Sequence, residues 1–382
     1  MHQLTRRRFI GSLAAALAAL PSFDRATGSE RVAILPFVNE DVVPFETLYG
    51  VGLEGRRNTD LSKISAESLV IESQRFFVRT RFPEKLRAPA PWKIQVAGMV
   101  RKPSELALGS LRAEAEDCGA HVIDCAGNTR LRRFGLLSAA HWQGVPFERL
   151  IPGFEPVREA TRVQIYGYDR KAISTKTTPR RGSPLPVARD ASWVFTLDDL
   201  VKTRAFLATG MNGAPLLPEN GAAVRLVVPG WYGCASTKWI DRIAFVDDAA
   251  LTTHQMKEYA SRTNQTGEPE LAKDYRAPEV EPAAVPVRVE AWREGNHAFY
   301  RIVGLVWGGF RSSDVLTLRT SPETEVHKIA TPNPGTTWSL WTQDWKPTHP
   351  GTYKIELRLE DASHSHRLSS GFFDRSVRIA EV

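Results

Sequence analysis

The sequence predicts an α+β catalytic unit followed by an all-β sandwich, and three observations carry that reading. Short apolar runs such as "WKIQVAGMV", "RVQIYGY" and "VRLVVPG" read as strands, while "LGSLRAEAE", "FERLIPG" and "LDDLVKTRAFLA" read as short helices. The strands do not alternate regularly with long helices, so α+β fits better than a doubly wound sheet. Between Glu258 and Val285 the chain turns polar and proline-bearing, as a linker does. Beyond it, "VPVRVEAW", "AFYRIVGLVW", "DVLTLRT", "TWSLWTQDW", "TYKIELRLE" and "SVRIAEV" alternate apolar and polar residues between Gly/Pro/Asn/Asp turns. That pattern predicts a sandwich of immunoglobulin type. No cysteine follows Cys234, so the sandwich must rest on packing without an inter-sheet disulfide.

The length of 382 residues suits two domains, with expected boundaries at 29–276 and 277–382. Hydrophobic content of 42% and charged content of 24% are ordinary for a globular protein. The net charge of +7 is spread without a Lys/Arg block, which argues against nucleic acid and suits an anionic cofactor, substrate or protein partner. The first 28 residues contain "TRRRFIGSLAAALAALPS", a cationic head, an apolar run from Phe9 to Leu20, and small residues. The run is short for a membrane span and reads as an export signal. Arg6-Arg7 in this setting resembles the twin-arginine signal, which implies a periplasmic protein that folds, often around a cofactor, before export. No other segment is apolar for long enough to span a bilayer.

Three cysteines leave at least one unpaired. Cys125 stands in "HVIDCAGNTR", which reads as a strand end entering a turn. There Gly127 permits close backbone approach and Asn128 can fix the loop through its amide. A thiolate at such a turn, near Arg130, suits a nucleophile or a soft-metal ligand, although a buried cysteine is also a common core residue. No second Cys or His lies at zinc spacing, so a zinc site is not indicated. One thiolate suffices if a cofactor supplies the remaining ligands.

Three further stretches join it: "FFVRTRFP" (76–83), "PENGAAVRLVVPGWYGCASTKW" (218–239) and "HQMKEYASR" (254–262). In this order, with "CAGN", they resemble the sulfite oxidase family of molybdenum enzymes over roughly residues 73–248. The C-terminal pattern is similar to that family's closing domain, which commonly mediates dimerisation. The resemblance implies a molybdenum atom held by a pyranopterin dithiolene, with Cys125 as the only protein ligand. A soft anionic sulfur suits a metal already bound by soft sulfurs. It further implies that Phe77, Val78, Arg79, Thr80, Arg81, Asn220, Arg225, Ser236, Thr237 and Lys238 hold the cofactor. Arg79 and Arg130 would bind the substrate oxyanion, and Tyr259 would hydrogen-bond the reacting oxygen. The implied chemistry is two-electron oxygen-atom transfer on a small sulfur oxyanion. No haem-attachment sequence is present, so electrons would pass to a separate acceptor such as a c-type cytochrome.

Several positions depart from the family pattern. Thr80 replaces an asparagine, Arg81 a histidine, Thr129 an arginine and Asn220 a histidine. The tail "SHRLSSGFFDRSVRIAEV" lacks the "WNLRG"-like segment that brings a pocket arginine from the closing domain. The resemblance therefore fixes the cofactor more firmly than the substrate. A reductase of sulfoxides or oxyanions and a cofactor-free binding protein on the same scaffold are the alternatives.

Overall fold

The structure is a computed structural model that describes residues 29–50, 55–80, 91–167, 191–308, 315–330, 335–359 and 366–380. The export signal expected over residues 1–28 and the candidate Arg81 lie outside them. None of the described helices is long and apolar enough to cross a membrane.

The fold is mostly β with few, short helices, which corrects the balance expected from the sequence. The segment "LDDLVKTRAFLA" shows why. Thr196 and Asp199 form a reciprocal capping box that opens the helix Leu197–Lys202. Arg204 then takes a positive φ of 54°, and the apolar remainder becomes the strand Phe206–Met211. That strand is buried at all six positions and pairs with both Leu137–Pro146 and Arg225–Val227. Sheet partners thus override a local pattern that reads as helix.

Two five-stranded sheets make up the first unit. In one, Ser192–Thr196, Arg162–Gly167, Ile240–Val246, Lys93–Gly98 and Ser104–Ala107 lie side by side, with the pairing of 240–246 to 93–98 parallel. In the other, Glu116–Asp124 pairs with Leu137–Pro146, which pairs with Phe206–Met211. A short pair, Arg56–Arg57 with Val78–Arg79, sits apart and brings two cationic stretches together.

The C-terminal unit has one sheet ordered 30–35, 283–294, 297–307, 338–345 and another ordered 326–330, 315–321, 351–359, 375–379, 37–38. Residues 30–38 therefore supply one strand to each C-terminal sheet, so the expected assignment of this stretch to the first unit is corrected. Alternating apolar positions could not reveal this, because Glu30–Leu35 is a largely exposed edge strand. The stretch expected as a linker is packed rather than loose. Val280 N donates to Gly230 O at 2.8 Å, and Leu251 bridges to Leu271.

The two units share an extensive polar contact. Trp338 Nε1 donates to Leu69 O at 2.9 Å, Val122 N to Thr336 O at 2.9 Å, and Arg288 Nη1 to Ser62 O at 3.1 Å and Ile64 O at 2.6 Å. Arg288 is itself neutralised by Glu290 at 2.6 Å, which lets a cation be buried at the junction.

Candidate functional site

Cys125 follows directly on the strand Glu116–Asp124, where the backbone leaves the sheet. Its N–H donates to Leu136 O at 3.0 Å and its carbonyl accepts from Asn128 N at 2.7 Å. The Asn128 side chain pins the turn from within. Its Nδ2 donates to Phe134 O at 3.0 Å and Asp124 Oδ1 at 3.3 Å, while Oδ1 accepts from Leu136 N at 3.2 Å. Gly127 faces the thiol, since a Cβ there would lie 3.7 Å from Cys125 Sγ and 3.2 Å from an Arg262 nitrogen. All three cysteines are free, and Cys125 and Cys234 are buried.

Burial pushes the Cys125 thiol up, while the Gly127 N–H, Arg79 and Arg262 oppose that shift. Tyr259, at the end of the helix His254–Tyr259, is raised by burial and then by the field of Cys125, so its hydroxyl keeps its proton at neutral pH. Arg79 acts on it as well, and Arg262 lies 5.5 Å from the Tyr259 ring centre. Cys125, Arg79 and Tyr259 thus lie within electrostatic reach of one another.

Arg130 is not brought into this group. It is exposed, and its charge acts with that of Arg133 on Arg375. The turn Arg130–Arg132 instead directs Arg132 inward, where Nη1 donates to Tyr49 Oη at 3.1 Å. Arg132 and Arg79 together lower the pKa of Arg56, after burial, and Arg56 in turn feels Cys125. Among the described residues, no carboxylate pairs with Arg56, Arg79 or Arg262. Arg56 escaped the sequence reading because "GLEGRRNTDLSKIS" looks irregular, and only pairing with Val78–Arg79 places it.

The residues expected to hold the cofactor are tied to one another and to neighbouring backbone. Val78 and Phe77 are buried, and Phe77 N is tied to Ser138 Oγ at 3.0 Å. Asn220 Nδ2 donates to Ser73 O at 2.9 Å, and Lys238 Nζ to Glu219 O at 2.7 Å. Ser236 Oγ accepts from Val228 N at 3.2 Å. Arg225 is buried, donates to the carbonyls of Asn220 at 3.0 Å and Ser236 at 3.3 Å, and pairs with no carboxylate among the described residues. Its pKa falls to about 9 through burial alone.

Several buried polar atoms among these residues and near them have no hydrogen-bond partner. They include Thr80 Oγ1, Asn220 Oδ1, Thr237 Oγ1, Asn58 Oδ1 and two guanidinium nitrogens of Arg57. Buried polar atoms without partners cost free energy, and a polar ligand would satisfy them. An uncompensated buried cation calls for an anion. An anionic group that carries both donors and acceptors, such as a phosphorylated pterin, would meet both demands, and the Cys125 sulfur would serve as its soft ligand.

The C-terminal unit also contributes a cation, contrary to the expectation drawn from its tail. Arg367 Nη2 donates to Ala126 O at 3.1 Å and to Arg262 O at 3.2 Å. It stands in "SHRLSSGFF", where no motif marks it, and only the junction of the two units places it.

Residues 80–254 match the family described as oxidoreductase molybdopterin binding domain. A protein-methionine-sulfoxide reductase catalytic subunit MsrP of Gluconobacter oxydans is 28% identical over 257 residues, covering 65% of this chain and 72% of that protein. The mitochondrial sulfite oxidase of Rattus norvegicus is 27% identical over 212 residues, covering 52% of this chain and 37% of the enzyme. The crystal structure of the sulfane dehydrogenase SoxCD from Paracoccus pantotrophus superposes with a TM-score of 0.61 at 16% identity, covering 87% of this chain and 88% of that one.

Proposed function

Since the chain is a molybdopterin oxidoreductase of the sulfite oxidase family, we propose that it performs two-electron oxygen-atom transfer at the sulfur of a small anion. Molybdopterin is its cofactor, and when bound this group supplies reversible oxygen-atom transfer coupled to two electrons. The observation that carries the reading is the set of arginines whose charge acts at or near Cys125, Arg56, Arg79 and Arg262, none of which pairs with a carboxylate among the described residues.

In this reading the Cys125 thiolate is the protein's ligand to molybdenum. Arg225 and Lys238 hold the cofactor's phosphate, with Asn220, Ser236, Thr237, Thr80 and the 77–79 backbone along the pterin. Arg79, Arg56 and Arg262 bind and orient the anion, and their field in a partly buried pocket stabilises negative charge better than water does. Tyr259 keeps its proton and donates a hydrogen bond to the oxygen being transferred. Arg130 then belongs to the rim, where it bears on an approaching protein more than on the substrate.

Electrons leave for an external acceptor, for which a c-type cytochrome is the natural class. The export signal and its periplasmic destination belong to the same reading, as does an immunoglobulin-type C-terminal module that pairs two copies. Steady-state assays settle the substrate. Sulfite and thiosulfate-derived anions should reduce a cytochrome acceptor, and no turnover with any sulfur anion would sink the proposal.

A second reading, reduction of a sulfoxide, is favoured by the similarity to MsrP over 65% of this chain. A neutral sulfoxide gives the arginine cluster nothing to neutralise, and that mismatch ranks it second. Turnover of a sulfoxide with a reduced dye, insensitive to loss of Arg79, would reverse the order.

A further inference from the structure

We propose that the C-terminal unit sets the direction of the Cys125 thiolate, through Trp307 and Arg367 acting as positioning residues. The inference rests on the reading of Cys125 as the metal ligand and adds to it the part of the chain that aims it.

The argument lies in which atoms are held. The residue before the ligand, Asp124, is buried, and its Oδ2 accepts a hydrogen bond from Trp307 Nε1 at 3.1 Å. The residue after it, Ala126, offers its carbonyl to Arg367 Nη2 at 3.1 Å. Trp307 closes the strand His297–Trp307 and Arg367 lies in the short helix His366–Ser369, so the two clamps come from separate elements of one unit. Within the first unit, Gly233 N donates to Asp124 O at 2.7 Å, Cys125 N to Leu136 O at 3.0 Å, Asn128 N to Cys125 O at 2.7 Å and Asn128 Nδ2 to Asp124 Oδ1 at 3.3 Å. None of these holds the Ala126 carbonyl, which belongs to the peptide that carries the turn on into Gly127. Arg367 does.

The clamps are themselves rigid. Trp307 is fully buried and meets the Phe373 ring edge-on at 5.5 Å, and Phe373 lies 5.1 Å from Phe134, which follows the turn. The Arg367 guanidinium lies 5.2 Å from the Tyr232 ring centre and 5.7 Å from that of Phe372. A guanidinium bracketed by two aromatic rings and bonded to two carbonyls is oriented by the protein. Partners that orient a metal ligand typically matter 10–100-fold in activity or metal affinity.

The test uses molybdenum-loaded, full-length protein. In Arg367→Met and Trp307→Phe, the thiolate-to-molybdenum charge-transfer absorption should shift. Turnover (kcat) should fall about tenfold or more, with KM changing less than about twofold. Arg367→Lys should recover part of both. Arg288→Met is the control, because it cuts other bonds across the same junction: it should lower thermal stability and leave the absorption band in place. Variants that lose stability as Arg288→Met does, with an unmoved band, would show Trp307 and Arg367 to be structural only. A rise in KM at constant kcat for Arg367→Met would make it a substrate contact. Cys125→Ser separates the premise: a band kept in that variant overturns the ligand assignment and the inference with it, whereas a band lost there but unmoved in Arg367→Met and Trp307→Phe overturns the clamp alone.

Discussion

The Arg225 guanidinium lies 5.2 Å from the centre of the Trp142 ring, and both side chains are buried. The ring face offers the cation an electrostatic partner that no described carboxylate provides. It leaves the charge available to an incoming anion.

Arg225→Met should therefore cost the loaded protein much more than the cofactor-free protein. Charge-assisted hydrogen bonds contribute about 1.5–3 kcal/mol each, so cofactor affinity should fall roughly 10–100-fold. Molybdenum content after dialysis, together with melting curves of both forms, checks this. An equal loss of stability in the two forms would contradict it.

Gly127→Ala places a methyl group 3.7 Å from Cys125 Sγ and 3.2 Å from Arg262. Folding should survive, since the neighbouring guanidinium can give way. Metal loading should drop several-fold, because the methyl occupies space on the thiol's open side. Metal analysis beside circular dichroism distinguishes that result from misfolding.

Arg79→Ala and Arg262→Ala should each raise KM for an anionic sulfur substrate by about tenfold, the value of one charged contact of about 1.4 kcal/mol. The wild-type KM should climb with ionic strength, and the slope should flatten in either variant. Kinetics at three salt concentrations are sufficient to see it.

Glu356 governs an acid limb of stability in the C-terminal unit. Burial alone would raise its pKa, but hydrogen bonds from Ser321, Lys354 and Arg319 prevail and hold it at about 2, against 4.5 when free. A carboxylate depressed in the folded state stabilises above its unfolded pKa. That contribution fades as pH falls from about 4.5 to about 2. Glu356→Gln should lower stability at pH 7 and lose less of it between those values. Denaturant titrations across that range measure the difference.

The site was legible in part. "CAGN" and "VRLVVPGWYGCASTKW" place Cys125, Asn128, Arg225 and Lys238 through contiguous residues whose turn chemistry is local. Arg56 and Arg367 were not legible, since each reaches the site through a pairing or junction distant in sequence. Arg130 misled for the opposite reason. It is near Cys125 along the chain, yet the tight Arg130–Arg132 turn points it to solvent and Arg132 inward. In the fold, the alternating C-terminal runs became strands as expected, whereas the exposed strand Glu30–Leu35 carried no apolar stripe to announce it.

That strand has a consequence for how the molecule is made. During synthesis Glu30–Leu35 emerges some 250 residues before its partner Ala283–Glu294, and Phe37–Val38 waits still longer for Arg375–Ile379. Neither C-terminal sheet can close until its late strands, 338–345 in one and 375–379 in the other, have been made. A chain halted anywhere earlier exposes unpaired strand edges to chaperones and proteases. Synthesis of these late partner strands is thus written into the fold as a condition for passing inspection.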